Sequence, residues 1–358
     1  MSGSTGSPAA ARGADMPGDG RIAAVVIGRN EGARLVGCLE SLSGRAAPVV
    51  YVDSGSTDGS VSAARALGAM VVELDPAQPF TAARGRNAGL AALAGAGDAA
   101  PYVQFIDGDC VLEPGWIDTA AAFLDAHPQH AVVCGRRKER FPEASLWNRL
   151  ADMEWNTPPG DTAACGGDAL MRRAALSAVG GYRESLIAGE EPELCLRLAR
   201  AGWRIHRLDA PMTLHDAAMT RFSQWRRRTR RAGWAAAEGF ALHGAGPERY
   251  HCRTLISIAI WGAGLPGLVF AGIVAALVTA TPAFANAAIL LGLAIFGLQA
   301  FRIAQGRRRS RGDRWPDAIA YGGFTLLGKG EELTGALSYL LARLRGRKGA
   351  IIEYKGPS

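Results

Sequence analysis

No C-x-x-C pair occurs among the six cysteines of this 358-residue chain, and no histidine stands near them at metal-site spacing, which argues against a zinc ribbon or a thioredoxin-like redox centre. Cys38, Cys110, Cys134, Cys165, Cys195 and Cys252 are scattered, as expected of reduced, buried small side chains in a cytoplasmic compartment. The dinucleotide fingerprint G-x-G-x-x-G is missing after the first apolar run, where the chain reads Gly28-Arg29-Asn30-Glu31-Gly32, and no G-x-x-x-x-G-K-[ST] phosphate loop occurs. A nicotinamide dehydrogenase and a P-loop nucleotidase therefore lack support. Residues 1–20 are rich in Gly, Ala, Ser and Pro without an apolar h-region, so they read as a flexible tail and not as a secretory signal. The most informative absence is one of charge: from Thr254 to Phe301 there is no Asp, Glu, Lys or Arg.

Elsewhere the composition is that of a folded protein, 48% hydrophobic and 20% charged, which excludes a disordered chain or a fibrous repeat. The length allows one large domain or two smaller ones. Residues 254–280 would reach about 40 Å as a helix at ~1.5 Å per residue, and residues 287–301 with a few turn residues can return, so the stretch reads as a transmembrane helical hairpin. Pro266 is expected to kink the first span. The net charge of +7 comes from 40 Lys and Arg against 33 Asp and Glu, with much of the excess at 226–231 and 302–311. Clusters flanking an apolar stretch suit membrane lipids better than a nucleic-acid groove, so no nucleic-acid partner is expected. Arg253 on one flank and Arg302, Arg307, Arg308, Arg309 and Arg311 on the other place both ends in the cytoplasm by the positive-inside rule. The expected location is the inner membrane, multi-pass, with the preceding domain facing the cytoplasm. Beyond the hairpin, Leu333, Leu337, Leu340, Leu341 and Leu344 recur at helical spacing beside Arg343, Arg345, Arg347 and Lys348. This predicts an amphipathic basic helix on the bilayer surface or against the preceding domain, since Lys329, Glu331 and Glu332 oppose a third span.

Before the hairpin, short apolar runs at 22–27, 49–52, 70–74 and 102–106 alternate with helical patterns near 35–42, 59–67 and 82–93. Further helices are expected near 170–179 and after Gly189. Repeated strand and helix alternation predicts an α/β fold with a mostly parallel, Rossmann-like sheet and ligands at the carboxyl ends of the strands. Polar residues follow those runs: Arg29-Asn30-Glu31, then Asp53-Ser54-Gly55-Ser56-Thr57-Asp58, then Asp107-Gly108-Asp109. Two aspartates one residue apart after a buried strand need neutralising, and a divalent cation with hard oxygen ligands beside a diphosphate is the natural candidate. Glu190 and Glu191 open a helix, where acids also serve simply to offset the helix dipole.

Taken in order, Val26-Ile27-Gly28-Arg29-Asn30-Glu31, Val52-Asp53-Ser54-Gly55-Ser56-Thr57-Asp58-Gly59, Ala83-Arg84-Gly85-Arg86-Asn87-Ala88-Gly89-Leu90, Asp107-Gly108-Asp109 and Gly189-Glu190-Glu191 resemble the family 2 glycosyltransferases over residues 22–235 or so. The resemblance implies a GT-A type domain over residues 21–245, followed by the hairpin at 254–301 and a basic cytoplasmic tail at 302–358. It also implies transfer of a sugar from a nucleotide-diphosphate donor with inversion, with Mg²⁺ or Mn²⁺ as cofactor. By the same match Asn30 and Glu31 belong to the nucleotide pocket, Asp53 binds base or ribose, and Arg84 and Asn87 form a polar clamp near the donor. Asp109 with Asp107 forms the metal and diphosphate site. Glu191 is the preferred general base, with Glu190 close behind. His215 resembles a further metal ligand.

Simpler roles stay open beside these. Arg84 and Arg86 can be solvated helix charges, Asp58 can cap the following helix, and His215 can be structural. Gln224-Trp225-Arg226-Arg227-Arg228 departs from the Q-x-x-R-W signature of processive membrane synthases, which favours addition of a single sugar to a lipid-linked or other membrane-bound acceptor in surface or exopolysaccharide assembly. Its arginines suit a diphosphate or an anionic lipid carrier, or a solvated helix face. A sugar-1-phosphate nucleotidyltransferase would share the sheet and the metal, but its Gly-rich phosphate loop with a following lysine is absent. A noncatalytic membrane scaffold with a degenerate pocket is opposed by the retained Asp53, Asp107, Asp109 and glutamate pair.

Overall fold

The structure, a computed structural model, describes residues 20–346. Arg347, Lys348 and nearly all of the expected N-terminal tail lie outside the described residues. The alternating pattern folds as β1 (Ile22–Gly28), α1 (Ala33–Leu42), β2 (Val49–Asp53), α2 (Ser60–Ala66), β3 (Met70–Glu73), α3 (Ala82–Gly95) and β4 (Tyr102–Asp107). There follow β5 (Cys110–Leu112), α4 (Trp116–Ala126), β6 (His130–Glu139), α5 (Leu146–Trp155), β7 (Gly160–Asp161), β8 (Ala169–Arg172), α6 (Arg173–Ala178), α7 (Glu190–Arg200) and β9 (Arg204–His215). One sheet holds all of these strands in the order β3-β2-β1-β4-β8-β6-β9-β5, with β7 against β9. Strands β1 to β4, β6 and β9 run the same way, while β5, β7 and β8 oppose them. The core lies on both faces of the central strands, around Val25, Val26, Tyr51, Phe105, Leu170, Met171 and Leu194, which is why those runs are apolar throughout.

The helix expected near 170–179 is a correction. Its first half is β8, inserted between β4 and β6, and only Arg173–Ala178 is helical. Ala169, Leu170 and Met171 are buried, and a short run apolar on both sides carries no period that separates strand from helix.

From the sheet the chain leaves through α8 (Phe222–His243) into α9 (Cys252–Ile258), a π-helical turn at Ala259–Gly264, α10 (Leu265–Thr279) and α11 (Ala283–Arg311). The expected kink takes the form of that π turn. Pro266 offers no N–H to the turn before it, so the helix widens just upstream. The loop between the two long helices is tighter than expected, with Ala280 in the left-handed region at φ 50° and α11 beginning by residue 283. Both Cys252–Thr279 and Ala283–Arg311 are long and apolar enough to cross a membrane, and only 6% and 11% of their most apolar windows are buried. Helices built for a soluble core would be covered; these face outward, which suggests membrane association.

The expected basic amphipathic helix is the second half of α12 (Trp315–Leu344). It packs along α8 at very close range: a Cβ on Gly233 would lie 1.9 Å from the Glu332 carbonyl oxygen, and one on Gly335 would lie 1.9 Å from the Arg230 carbonyl oxygen. Leu337, Leu340, Leu341 and Leu344 remain exposed, so the helix rests on the domain through its small residues and keeps a leucine stripe outward. Arg226 and Arg230 both pair with Glu331, and Arg228 pairs with Glu154 of α5. A cavity of about 220 Å³ remains in this seam, lined by Trp225, Arg228, Tyr321, Phe324 and Glu332.

Gly335→Val should push α12 off α8 and cost about 1–3 kcal/mol, the usual penalty for overpacking. The change is read as a lower melting temperature in detergent. An unchanged melting temperature would mean that the helices are not in backbone contact.

Candidate active site

The carboxyl ends of β1, β2 and β4 put three polar segments side by side. Asn30, at φ 54°, ties the first to the second: its Oδ1 accepts from Thr57 N at 2.7 Å, and its own N–H donates to Ser56 Oγ at 2.8 Å. Asp53 is buried at 2% exposure. Its Oδ1 accepts from the Tyr51 hydroxyl at 2.8 Å, and its Oδ2 accepts from Gly55 N and Ser56 N at 2.9 and 2.8 Å. Its evident work is to hold the 54–58 turn in shape. Asp58 accepts from Ser60 N at 2.9 Å, a local turn bond just before α2. Glu31 pairs with Arg34 one turn on, at 2.7 Å.

Arg84 and Asn87 both hold neighbouring segments in this structure. Arg84 Nη1 donates to the carbonyls of Asp75, Gln78 and Pro79, so it fastens the loop before α3. Asn87 exchanges two hydrogen bonds with the Tyr182 backbone and donates to Glu184. The guanidinium that enters the site belongs to Arg86, for which the sequence left a solvated helix charge open and named no site role. It is buried, and donates to Asp107 Oδ1 at 3.0 Å and to Glu190 Oε1 at 2.8 Å. A helical signal for this exists in the sequence: Arg86 lies three and seven residues before Gly89 and Leu93, on the buried face of α3, whereas Arg84 does not.

Asp107 also receives Arg137 Nη2 on its other oxygen at 2.8 Å. Burial alone would raise its pKa, but Arg137 and Arg86 outweigh that and hold the carboxyl well below the usual range. Arg137 comes from β6, ion-pairs with the fully buried Asp168 at 3.2 Å and lies over the Trp155 ring. Asp168 accepts in addition from Asp107 N and Thr213 Oγ1. Arg137 and Asp168 went unnoticed in the sequence, because nothing in Gly135-Arg136-Arg137-Lys138 sets one cation apart from its neighbours.

Pairing of β5 with β9 sets Cys110 opposite His215, which brings together residues over a hundred positions apart. His215 Nε2 lies 3.3 Å from Asp109 Oδ2, and its Nδ1 lies 3.7 Å from Glu139 Oε2. Burial and then the Arg137 charge push the imidazole pKa down. A neutral ring carries a single proton, so one nitrogen turns a lone pair toward a carboxylate. Across the edge Arg86 and Arg137 pair with Asp107, Asp168 and Glu190, while Asp109 and Glu139 flank His215. The ligand atoms of Asp109 and His215 belong to one cluster within 4.8 Å. Carboxylate and imidazole donors this close together fit a divalent cation held by Asp109 and His215 with Asp107 nearby.

Three glutamates at the start of α7 point three ways. Glu190 turns into the site toward Arg86. Glu191 is buried, with Oε1 accepting from Cys165 N at 2.6 Å and facing Cys195 Sγ at 3.4 Å. Glu193 is buried and binds Arg183, Arg197 and His243. The sequence preference for Glu191 over Glu190 therefore runs against the directions of the side chains. Arg226 and Arg230 bind Glu331, Arg228 binds Glu154, and Arg231 donates to the Ile187 carbonyl.

Residues 24–180, from the first strand through the end of α6, match the model of Glycosyl transferase family 2. This segment is a family 2 glycosyltransferase domain. The chain is 30% identical over 197 residues to the succinoglycan biosynthesis protein ExoA of Rhizobium meliloti (strain 1021), a match spanning 50% of this chain and 58% of that protein. It is 28% identical over 177 residues to the pre-mycofactocin glycosyltransferase of Mycobacterium tuberculosis (strain CDC 1551 / Oshkosh), covering 46% of this chain and 34% of that one. The chain thus spans less than two thirds of either relative. Among solved structures, the mannosyltransferase PcManGT from Pyrobaculum calidifontis, in complex with GDP-Man and Mn²⁺, superposes with a TM-score of 0.55 at 18% identity, over 91% of this chain and 90% of that one. The shared feature at that identity is the GT-A fold.

Arg86 ties α3 to β4 and to the start of α7. Arg86→Met should strip Glu190 of this cation and leave Asp107 with Arg137 alone, and destabilise the protein by about 3–5 kcal/mol. Arg86→Lys should recover part of that. Denaturant unfolding in detergent measures both, and a neutral Arg86→Met would show that Glu190 does not need the cation.

Proposed function

We propose that the protein is an inverting glycosyltransferase that moves a single sugar from a nucleotide-diphosphate donor to a membrane-bound, lipid-linked acceptor in surface or exopolysaccharide assembly. The observation that carries this reading is the meeting of Asp107, Asp109, His215 and Glu190 at the carboxyl edge of a family 2 domain, with Arg86 and Arg137 between them. The succinoglycan-related name of one relative supports the polysaccharide setting, and the nucleotide sugar and Mn²⁺ bound by PcManGT support the donor class and the cation.

A divalent cation, Mg²⁺ or Mn²⁺, held by Asp109 and His215 would supply positive charge for the departing diphosphate. Arg86 and Arg137, already turned to the same edge, would give bidentate hydrogen bonds to phosphate oxygens. Asn30 and Asp53 would keep the nucleotide loop in shape, and Glu31 would border it. Glu190 would take the proton of the acceptor hydroxyl as its oxygen attacks the anomeric carbon and the nucleoside diphosphate leaves from the opposite face. Glu191 would hold the loop that carries Asp168.

The acceptor follows from the anchor. Two outward-facing apolar helices, with Arg253 in the first turn of the first and Arg302, Arg307, Arg308, Arg309 and Arg311 in the second, would put the domain on the cytoplasmic side of the inner membrane. The exposed leucines of α12 would lie in its surface.

On detergent-purified protein with a panel of nucleotide sugars, one donor should release nucleotide in Mn²⁺ or Mg²⁺ but not in EDTA, and Asp109→Ala should lose that release. Glu190→Gln should cut turnover by about 10²- to 10⁴-fold with donor affinity nearly kept. Glu191→Gln should cost stability more than turnover; the reverse pattern returns the base to Glu191. Absence of binding to every donor would point instead to a scaffold.

A further inference from the structure

At the other end of the sheet a second group of ligating side chains has no part in the chemistry above. His130 opens β6, His206 lies near the start of β9 and Asp161 ends β7; pairing sets His130 opposite Arg204, and Asp161 opposite His206. Three neighbouring strands therefore present the three side chains together. Asp161 Oδ1 is 2.8 Å from His206 Nδ1 and 3.4 Å from His130 Nε2, so two ring nitrogens converge on one carboxylate oxygen. Phe123 fixes the ring planes, stacked on His206 at 4.6 Å and edge-on to His130 at 5.1 Å. His130 is buried, whereas Asp161 is 42% exposed, so the group opens to solvent.

We propose that His130, Asp161 and His206 form a second divalent-metal site, of the two-imidazole and one-carboxylate kind that suits zinc, remote from the catalytic edge. All three ligand atoms lie within 4.8 Å of one another. Tetrahedral zinc, with bonds of about 2.0–2.1 Å, sets its ligand atoms about 3.3 Å apart. The His130 to Asp161 spacing already matches this, and the His206 contact must open slightly. Two imidazoles favour zinc over Mg²⁺ or Mn²⁺, which prefer an oxygen set. Arg204 holds the other oxygen of Asp161 and is the cation that a metal must oppose.

The place of the site gives it a consequence. Along β9 His215 lies nine residues from His206, roughly 30 Å at the rise of a strand. The segment 156–168 leaves Trp155, which packs against His215, reaches Asp161 at the far end, and returns to Cys165 and Asp168 beside Glu191 and Arg137. Metal at Asp161 clamps the turning point of that excursion.

The test uses full-length protein made without a polyhistidine tag, in detergent, with excess Mg²⁺ to fill the oxygen-rich edge. Zinc is titrated in competition with a chromophoric chelator. Wild type should bind one zinc that Asp161→Asn and His206→Gln bind at least about tenfold more weakly, and Arg204→Ala should bind it more tightly. Zinc should slow amide exchange across 156–168 in wild type but not in Asp161→Asn or His206→Gln. Equal stoichiometry and affinity in wild type, Asp161→Asn and His206→Gln, or zinc protection of 156–168 that persists in both variants, overturns the proposal.

Discussion

Crowding carboxylates at the open end of a buried sheet is the constraint to which the rest of this molecule answers. Asp168 is fully buried and Asp107 partly so, and an isolated charge in such a place is costly. Two guanidiniums from distant parts of the chain meet that cost. Arg86 joins α3 to β4 and to the start of α7; Arg137 joins β6 to β4 and to the segment before β8. Each fork reaches two acceptors at once, which a lysine cannot do with comparable geometry. The order of the site is thus a property of an ion network that spans four elements, and loss of one member strands the others.

The same edge gathers ligand atoms. The His215 imidazole lies between the carboxylates of Asp109 and Glu139. A sheet edge that sets guanidiniums beside carboxylate and imidazole donors is well suited to a ligand that brings both a cation and phosphates.

The outward helices and the domain are joined by close backbone contact and by ion pairs. After α11 the chain comes back along α8 as α12, with Gly233 and Gly335 allowing the approach and Glu331 binding Arg226 and Arg230. A loose tether would let the sheet edge sample any orientation. This seam makes α12 part of the domain while leaving its leucines free, so the domain is carried by the hairpin in a defined pose.

Several features were legible in the sequence because local patterns encode them. The four apolar runs, the polar residues after them and the long uncharged stretch survive as β1 to β4, the strand-edge loops and the two outward helices, since periodicity and length are properties of adjacent residues. Which charge enters the site is not such a property. Arg84 and Arg86 differ by two positions on one helix, and only the packing of α3 on the sheet turns Arg86 inward and Arg84 toward the loop at 75–79. Glu190 and Glu191 are adjacent, yet the path of the 165–168 segment takes one into the core and leaves the other at the edge. Asp109 and His215 meet only through the β5 and β9 pairing, and Arg137 reaches Asp107 only because β8 and β6 follow β4 across the sheet. By itself the sequence determined the alternating fold, the outward apolar helices and the chemical inventory, all of which follow from short-range spacing. Tertiary structure alone decided the partners, because hydrogen bonds and ion pairs act over about 3 Å in space however far apart their residues lie along the chain.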